Sequence, residues 1–283
     1  MADENVSDEL ARLWRLRTGA RLGRPAGLDA DRIVRTAVNL ADLGGLSAAT
    51  LPKIAASLGV TPMSLYRHIG SKDELIGLMA DLAFGLVPAD PGPADPAIGD
   101  PAIGDPVSGG LVSGAPASDD PILSEAAPGD GWRSALRRWA LAQLAIHHRH
   151  PWLAQIPISG PPRGPNAIAW MDSGLHSLRA TGLDWPAKIG VITVVSGYVR
   201  QASVTSRQLE EHRRTADLNE AQALRDYQRE LAALVDPARF PDAAELFASG
   251  LFNSIPESPD TGDEDFTFGL ELILDGVAAT IMR

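Results

Sequence analysis

The sequence predicts an all-α protein in two parts: an N-terminal three-helix domain with a helix-turn-helix, and a C-terminal helical bundle. Apolar residues recur at helical spacing on both sides of residues 88–130, and prolines and capping residues separate the apolar stretches. Residues 191–199 are β-branched enough for a strand, but their continuation into a polar stretch favours a helix. Helices therefore account for both parts of the chain.

Residues 88–130 divide the chain. They contain nine Pro and seven Gly, include the repeat DPAIGDPAIG, and hold no Lys, Arg or aromatic residue. Proline lacks the N–H donor and glycine adds chain entropy, so neither supports a packed element. This composition predicts a disordered linker or insertion between one domain over 29–87 and another over 131–283.

The composition also excludes several classes of protein. The 283 residues include no Cys, which excludes disulfides, Cys-ligated zinc and a Cys nucleophile. The segment MADENVSDEL lacks the apolar stretch of a signal peptide, and no apolar run approaches a membrane span. HExxH, GxSxG, P-loop and GxGxxG motifs are absent, so the sequence indicates no enzyme. We expect a cytoplasmic protein with no cofactor.

The charge is unevenly distributed along a chain whose net charge is −11. Residues 12–72 carry ten Lys or Arg against three Asp, whereas residues 73–130 carry eleven acidic residues and no Lys or Arg. Residues 12–72 are therefore a positive region in a negative protein, as expected of a surface that meets nucleic acid. The alternative is a chance surplus of solvated surface charge.

Three helices and a fourth that connects to the second domain are predicted over 29–87. The first covers 30–43 after the cap Asp29, and the second covers 50–58 with Thr50 as its cap. A short helix follows over 62–68, and a capping box at Ser71 to Glu74 opens a helix that runs to about Leu86.

The segment LGVTPMSLYRHIG has the spacing of a helix-turn-helix. Gly59 supplies the positive φ between the helices, and Leu65 and Ile69 anchor the short helix from beneath. Thr61 caps this helix and Pro62 begins it. The exposed residues suit a DNA major groove, since they offer hydrogen bonds to bases and phosphates and a contact for a thymine methyl. The predicted contacts are Lys53, Thr61, Pro62, Met63, Ser64, Tyr66, Arg67, His68 and Lys72. The alternative is a tight helix corner in a bundle.

Residues 1–28 are predicted to form a flexible basic arm. Five arginines precede the first helix, and such an arm reaches along phosphates or into a minor groove. The alternative is that they pair with acidic residues nearby. The arginines are Arg12, Arg15, Arg17, Arg21 and Arg24.

The stretch TLPKIAASLGVTPMSLYRHIGSKDEL, residues 50–75, resembles the DNA-binding domain of the tetracycline-repressor (TetR/AcrR) family of bacterial regulators. The resemblance implies a recognition helix at 62–68 and phosphate contacts from Tyr66, Lys72, Thr50 and Lys53. It also implies a homodimer built by C-terminal helices and a small-molecule effector. Two residues depart from the family pattern: Pro52 replaces a frequent polar or basic contact residue, and Ile69 replaces a frequent Phe. Residues 150–155, HPWLAQ, are similar to a segment of the family's C-terminal domains.

Six helices are predicted after the linker, near 132–148, 165–180, 186–212, 216–235, 241–252 and 264–283. In two of them, glycines lie seven residues apart, on one face of the helix. A mid-helix glycine costs about 1 kcal/mol relative to alanine, and close packing of two helices against the small residues offsets that cost. The spacing therefore predicts a close-packed dimer interface. The alternative is packing within one subunit. The predicted interface residues are Gly190, Gly197, Gly269, Ile273 and Gly276.

An effector site is predicted in the same domain, because ligand sites are largely apolar with few polar groups. The candidates are Trp139, His147, Trp152, Trp170, Met171 and Tyr198; the alternative is that these residues belong to an ordinary core or surface. Three histidines, His147, His148 and His150, raise a metal hypothesis, but a helix's last turn favours such residues without a metal. We therefore expect no metal site.

Together these features predict a ligand-responsive bacterial transcriptional regulator, a repressor that binds a palindromic operator as a homodimer and is released by a small molecule. The alternative is a helical ligand-binding or protein-interaction module without DNA binding.

Overall fold

In the computed structural model, the chain is described over residues 7–16, 28–87, 131–158, 160–216, 220–251 and 261–283. These residues form eleven α-helices and contain no strand. The predicted linker at 88–130 and arginines 17, 21 and 24 of the predicted arm lie outside them. The N-terminal helices are α1 (Asp8–Leu13), α2 (Ala30–Gly44), α3 (Leu51–Leu58), α4 (Pro62–Ile69) and α5 (Lys72–Phe84).

The C-terminal domain contains the six predicted helices, with bounds that differ from the expected ones by a few residues. A 3-10 turn over Pro151–Gln155 follows the first of them, and the β-branched stretch 191–199 lies within a helix. The helices are α6 (Gly131–Arg149), α7 (Pro165–Ser177), α8 (Trp185–Ala216), α9 (Glu220–Leu234), α10 (Pro241–Ala248) and α11 (Thr261–Ile281).

Capping fixes where the N-terminal helices begin. The Asp29 carboxylate accepts the Arg32 N–H at 2.7 Å, and the Ser71 hydroxyl accepts the Glu74 N–H at 3.0 Å. Thr50 and Thr61 occupy N-cap positions, but neither side chain bonds to its helix backbone. The capping box predicted at Ser71 to Glu74 is half formed. The Ser71 hydroxyl caps the helix, but the Glu74 carboxylate accepts from Arg12 and not from the backbone N–H of Ser71.

Two predictions about this domain are corrected by the structure. Of the arm expected over 1–28, residues 8–13 form helix α1, capped by Ser7. The two described arginines of this segment, Arg12 and Arg15, contact carboxylates of the same chain, those of Glu74 and Asp31. Helix α5 ends at Phe84, before Gly85 at φ +60°. Leu86, expected at the end of this helix, lies beyond it and is 87% exposed.

One hydrophobic core runs through both domains. Helix α6 packs against α7 and α8, and α2 packs against α5. The two halves meet where α5 lies against α7, and the Trp170 indole N–H donates to the Phe84 carbonyl across this contact at 3.1 Å. The domains are thus joined by packing as well as by the covalent chain.

An ion-pair network joins α6 to α11. Arg133 donates to Glu271 and Asp275 at 2.6 Å, and Arg137 donates to Glu271 at 2.5 Å. The hydrogen bond from Arg137, with a further one from Arg133, lowers the pKa of Glu271 to about 2 although burial opposes the shift. A carboxyl with a depressed pKa stabilises the fold above its unfolded pKa, here near 4.5, and this contribution is lost as the pH falls toward 2.

Glu271→Gln is therefore expected to lower the melting temperature at pH 7 by about 2–4 °C, the effect of roughly 1 kcal/mol for a partly exposed network. The difference from wild type should shrink as the pH is lowered from 4.5 toward 2. Thermal unfolding at pH 7 and pH 3 measures both quantities. Glu245→Gln, on the exposed side of α10, is the control. A difference that persists unchanged at pH 3 would contradict the assignment.

Candidate nucleic-acid interface and effector-binding core

The corner between α3 and α4 is formed by Gly59 at φ +68°, a left-handed conformation that favours glycine. The Gly59 N–H donates to the Ala56 carbonyl and the Val60 N–H donates to the Ala55 carbonyl, which closes α3 as a Schellman motif. Val60 packs against the core at the corner. These contacts fix the direction in which α4 leaves α3.

Helix α4 is too short to be stable alone, and its inner residues hold it in place. Leu65 and Ile69 are fully buried. The outer surface carries the sequence-predicted contacts: Pro62, Tyr66 and Arg67 are exposed, and Met63 is 75% exposed. The structure therefore brings an apolar contact, a phenol and a guanidinium onto one exposed helix surface.

Two predicted contact residues on this helix are only half exposed, Ser64 and His68. The Ser64 and Thr61 hydroxyls share a hydrogen bond at 2.9 Å, so they stiffen the first turn of α4. The sequence did not predict this contact, and it replaces the side-chain cap expected of Thr61.

Basic residues flank the recognition helix on both neighbouring helices. Lys53 lies in the first turn of α3 and Lys72 at the first position of α5, and both are exposed, as is Thr50. Lys53, Arg67 and Lys72 form no ion pair with any other described residue. Pro52 is exposed at the start of α3 and offers no charge. The unpaired cations remain available to phosphate.

Two predicted effector residues form the centre of the C-terminal core. Trp139 and Trp170 are buried, and the Trp139 indole N–H donates to the Trp170 carbonyl at 2.9 Å. Gly174 lies against the Trp139 ring so closely that an added Cβ would fall 2.6 Å from it. This contact couples α6 tightly to α7.

His147 is buried on α6, 7% exposed, and its Nδ1 atom has no hydrogen-bond partner. Burial, with the nearby Arg200 and His148 charges, lowers its pKa to about 4, so the imidazole is neutral at pH 7. Gln143, one turn earlier, is also buried and its Nε2 atom is unpartnered. Sequence reasoning missed Gln143, although its i, i+4 spacing from His147 could have indicated it.

The other predicted effector residues have partners elsewhere. The Trp152 indole N–H donates to the Asp42 carboxylate at 2.6 Å, a contact with the N-terminal domain. Tyr198 stacks on Phe266 of α11 and donates to its carbonyl at 3.0 Å. Met171 is half-buried at the edge of the core. Among the described residues, no three His, Asp or Glu side chains come together as metal ligands.

Two carboxylates of the N-terminal domain receive hydrogen bonds from the C-terminal domain. Asp42, at the end of α2, binds Trp152 and also His150 at 2.8 Å. Asp81 of α5 is buried and accepts the Ala167 N–H, at the start of α7, at 3.0 Å. Burial raises the pKa of Asp81, although the backbone hydrogen bonds oppose the shift. These contacts connect the domains at two separate places.

The glycines predicted at a dimer interface divide into two groups. Gly190 and Gly197 of α8 and Gly276 of α11 are exposed, with open space where a Cβ would lie. Gly269 instead accommodates the Tyr198 hydroxyl of the same chain, which would be 2.2 Å from an added Cβ. Its small size therefore serves packing within one subunit. Ile273 is half-buried against the core.

Exposed apolar side chains accompany the outward-facing glycines on the same two helices. Near these glycines in sequence, Leu270 and Val277 are buried within the subunit, whereas Ile189 and Val194 are exposed. Phe268 and Leu272 of α11, 69% and 59% exposed, lie at helical spacing before Gly276. Phe268, Leu272 and Gly276 recur every four residues and so share one face of α11, and an exposed apolar face of this kind indicates a protein contact.

Comparison with known proteins identifies this arrangement. Residues 33–79 match the profile described as "Bacterial regulatory proteins, tetR family", and residues 125–281 match "Tetracyclin repressor-like, C-terminal domain". The chain is 31% identical, over 99% of its length and 88% of the relative's, to the HTH-type transcriptional repressor DrrR1 of Streptomyces coeruleorubidus. It is 28% identical to an HTH-type transcriptional regulator of Saccharopolyspora erythraea, over 89% of this chain and 86% of that protein.

Solved structures show the same fold. Apo ActR from Streptomyces coelicolor superposes with a TM-score of 0.62 at 24% identity, covering 91% of this chain and 98% of that one. ActR solved in complex with actinorhodin gives a TM-score of 0.63 at 23% identity, covering 92% and 100%. No helix in the described ranges is long and apolar enough to cross a membrane.

The helix-turn-helix and the helical bundle define a DNA-binding transcriptional regulator. The chain belongs to the TetR family of bacterial regulatory proteins. The family expected from the segment TLPKIAASLGVTPMSLYRHIGSKDEL is thereby confirmed.

Proposed function

We propose that the exposed surface of α4 enters the major groove of a palindromic operator, once from each subunit of the dimer. The observation that carries this proposal is the orientation of the helix, with Leu65 and Ile69 fully buried and Met63 and Arg67 exposed. Two such helices suit half-sites about 34 Å apart or a multiple of that distance.

The contacts divide by chemistry into base recognition and phosphate binding. Arg67 donates to guanine or phosphate, and Met63 contacts a thymine methyl. The remaining contacts are assigned to phosphate and to the edges of the groove. They are Thr50, Lys53, Thr61, Pro62, Ser64, Tyr66, His68 and Lys72.

Selection of bound fragments from genomic DNA by the purified protein tests this assignment. We expect a palindromic consensus and an affinity that falls steeply as salt is raised, because phosphate contacts release counterions. A protein that selects no duplex at low ionic strength would overturn the proposal. The regulator is expected to act in the cytoplasm, and by binding rather than by catalysis.

We infer that the effector binds in the C-terminal domain, against the face of α6 that carries Gln143 and His147. Both side chains are buried with an unpartnered nitrogen, and such groups are costly unless something bonds to them. The Phe84 ring lies edge-on to the imidazole, 6.5 Å between centroids. An apolar compound with at least one hydrogen-bond acceptor fits this chemistry. ActR, which has the same fold, was crystallised in complex with actinorhodin.

Gln143→Leu is expected to leave the free protein as stable as wild type or more stable, because it removes an unpartnered buried amide. The same change should weaken effector binding about 5-fold or more, because it removes the donor. Thermal shift across a panel of acceptor-bearing aromatic compounds measures both. His176→Leu, on the exposed side of α7, is the control. Compounds that bind Gln143→Leu and wild type equally would place the effector elsewhere.

We propose that effector binding releases the protein from DNA through packing contacts between the domains, and that α5 transmits the movement to α4. Forty-three residues, 88–130, separate the domains in sequence, and a chain of this composition transmits little strain. The Asp81 contact with α7 and the Asp42 contact with His150 and Trp152 join the same domains directly. An effector that shifts α7 against α6 thereby moves α5 and the recognition helix that precedes it.

A further inference from the structure

Helix α1, which precedes the helix-turn-helix and lies outside the matched family segments, contacts both domains. On one side it packs against α5. On the other side it reaches the loop that leads into α7 through Trp14 and Glu9. A six-residue helix with partners in both domains is placed to link their positions.

The contact with the DNA-binding domain lies directly behind the recognition helix. Arg12 directs its Nε and Nη2 atoms to one oxygen of the Glu74 carboxylate, at 2.8 and 2.5 Å. Both groups surround Gly70, the residue that ends α4: a Cβ there would fall 2.5 Å from Glu74 and 2.7 Å from Arg12. The ion pair therefore closes over the junction of α4 and α5.

The contact with the effector domain is made at Arg163. The Trp14 indole N–H donates to the Arg163 carbonyl at 2.8 Å, and the Arg163 guanidinium pairs with Glu9 at 3.0 Å. The next residue, Gly164, is pressed against the Asp81 side chain, where an added Cβ would fall 2.0 Å from an oxygen. The loop before α7 is thus held between α1 and α5.

We propose that α1 is a strap that sets the position of the recognition helix relative to the effector domain, with Arg12 as a positioning residue for DNA binding. This inference rests on the proposed function of α4. When the loop at Arg163 moves, its contacts with Trp14 and Glu9 displace α1. The ion pair between Arg12 and Glu74 then displaces the end of α4. The strap gives the effector domain a second route to the recognition helix besides α5.

A direct contact between Arg12 and a DNA phosphate is the competing explanation. The two explanations predict opposite changes in DNA affinity when Glu74 is substituted. Glu74→Gln removes a negative charge beside the interface and keeps a residue suited to the third position of a helix. If Arg12 acted as a phosphate ligand, the change would free its guanidinium and strengthen DNA binding. If the pair positions α4, the change weakens binding although the surface has become more positive.

The test uses the full-length protein and the duplex that the wild type selects. We expect Arg12→Gln and Glu74→Gln each to weaken binding about 3- to 10-fold, and the double variant to be no weaker than either single variant. Trp14→Phe keeps the ring, removes the N–H donor and should weaken binding in the same direction. Arg15→Gln is the matched control, because it removes the same charge from the same segment but its partner is Asp31 of α2.

Hydrogen exchange of residues 62–75 supplies a second measurement on the same proteins. Exchange there should rise in Arg12→Gln, Glu74→Gln and Trp14→Phe and stay at the wild-type level in Arg15→Gln. Tighter DNA binding by Glu74→Gln, or wild-type binding and exchange in all three strap variants, would overturn the proposal. A wild type that selects no duplex would instead overturn the proposed function of α4.

Discussion

Arg67→Ala is expected to weaken operator binding about 10- to 100-fold and to relax the sequence preference at one position of each half-site. This range corresponds to the loss of one arginine contact to a base. Arg67 is exposed on α4 and forms no ion pair with the described residues, so its removal leaves the fold intact. Binding isotherms against the selected operator and against single-base variants of it measure both effects.

Lys72→Ala is the matched comparison, because Lys72 is also exposed and unpaired but lies at the start of α5. It should weaken binding to all sequences alike and reduce the slope of log K against log salt by about 1. If Arg67→Ala instead weakens all duplexes uniformly, Arg67 contacts phosphate, and base recognition belongs to other residues of α4.

The double substitution Gly197→Leu with Gly276→Leu is expected to convert the dimer to a monomer at micromolar concentration. Apart from the adjacent residues and the backbone of its own helix, neither glycine has an atom of the subunit within 4 Å of a Cβ position, so a side chain at either site meets open space. Each change also removes a mid-helix glycine, which favours the helix by about 1 kcal/mol. The subunit is therefore expected to gain helix stability while the dimer is lost.

Sedimentation velocity, together with thermal unfolding, separates these two effects. Ala169→Leu adds bulk on the exposed side of α7 and should leave the dimer intact. A dimer that persists in the double variant would refute the proposed interface, in which α8 and α11 with their symmetry mates form four helices. In that case the exposed apolar residues Phe268 and Leu272 would need another partner.

Local signals were sufficient to predict the recognition helix. The glycine at 59, the buried pair Leu65 and Ile69, and the proline at the start of α4 all act within a few residues, so spacing alone places them. The same holds for the caps at Asp29 and Ser71. Contacts that join distant residues were outside the reach of such reasoning.

The N-terminal arginines illustrate that limit. Their density predicts an arm, but the partner of Arg12 is Glu74, sixty-two residues further along the chain. The effector residues show the same limit: six candidates were chosen by type, and Trp152 proves to bind Asp42 of the other domain. Composition identifies which side chains carry chemistry, whereas the fold decides which way they face.

Glycine spacing was informative in part. A seven-residue interval marks small residues on one helical face, but it does not distinguish a neighbour in the same chain from one in a partner. Gly276 faces open space and Gly269 accommodates a tyrosine hydroxyl, although both belong to α11. The contact of Tyr198 with Phe266 places the tyrosine hydroxyl against Gly269, and this contact between distant residues distinguishes Gly269 from Gly276.

The shared core has a consequence for how such regulators exchange parts during evolution. Trp152 of the C-terminal domain donates to the Asp42 side chain of the N-terminal domain, and the Asp81 side chain of the N-terminal domain accepts the Ala167 N–H of the C-terminal domain. A chimera joined at the linker would inherit only one half of each bond and leave buried donors unmatched. When a new effector domain is recombined with this DNA-binding domain, Asp42 and Asp81 must therefore be inherited together with the effector domain. The segment that can be exchanged is larger than the linker boundary in the sequence indicates.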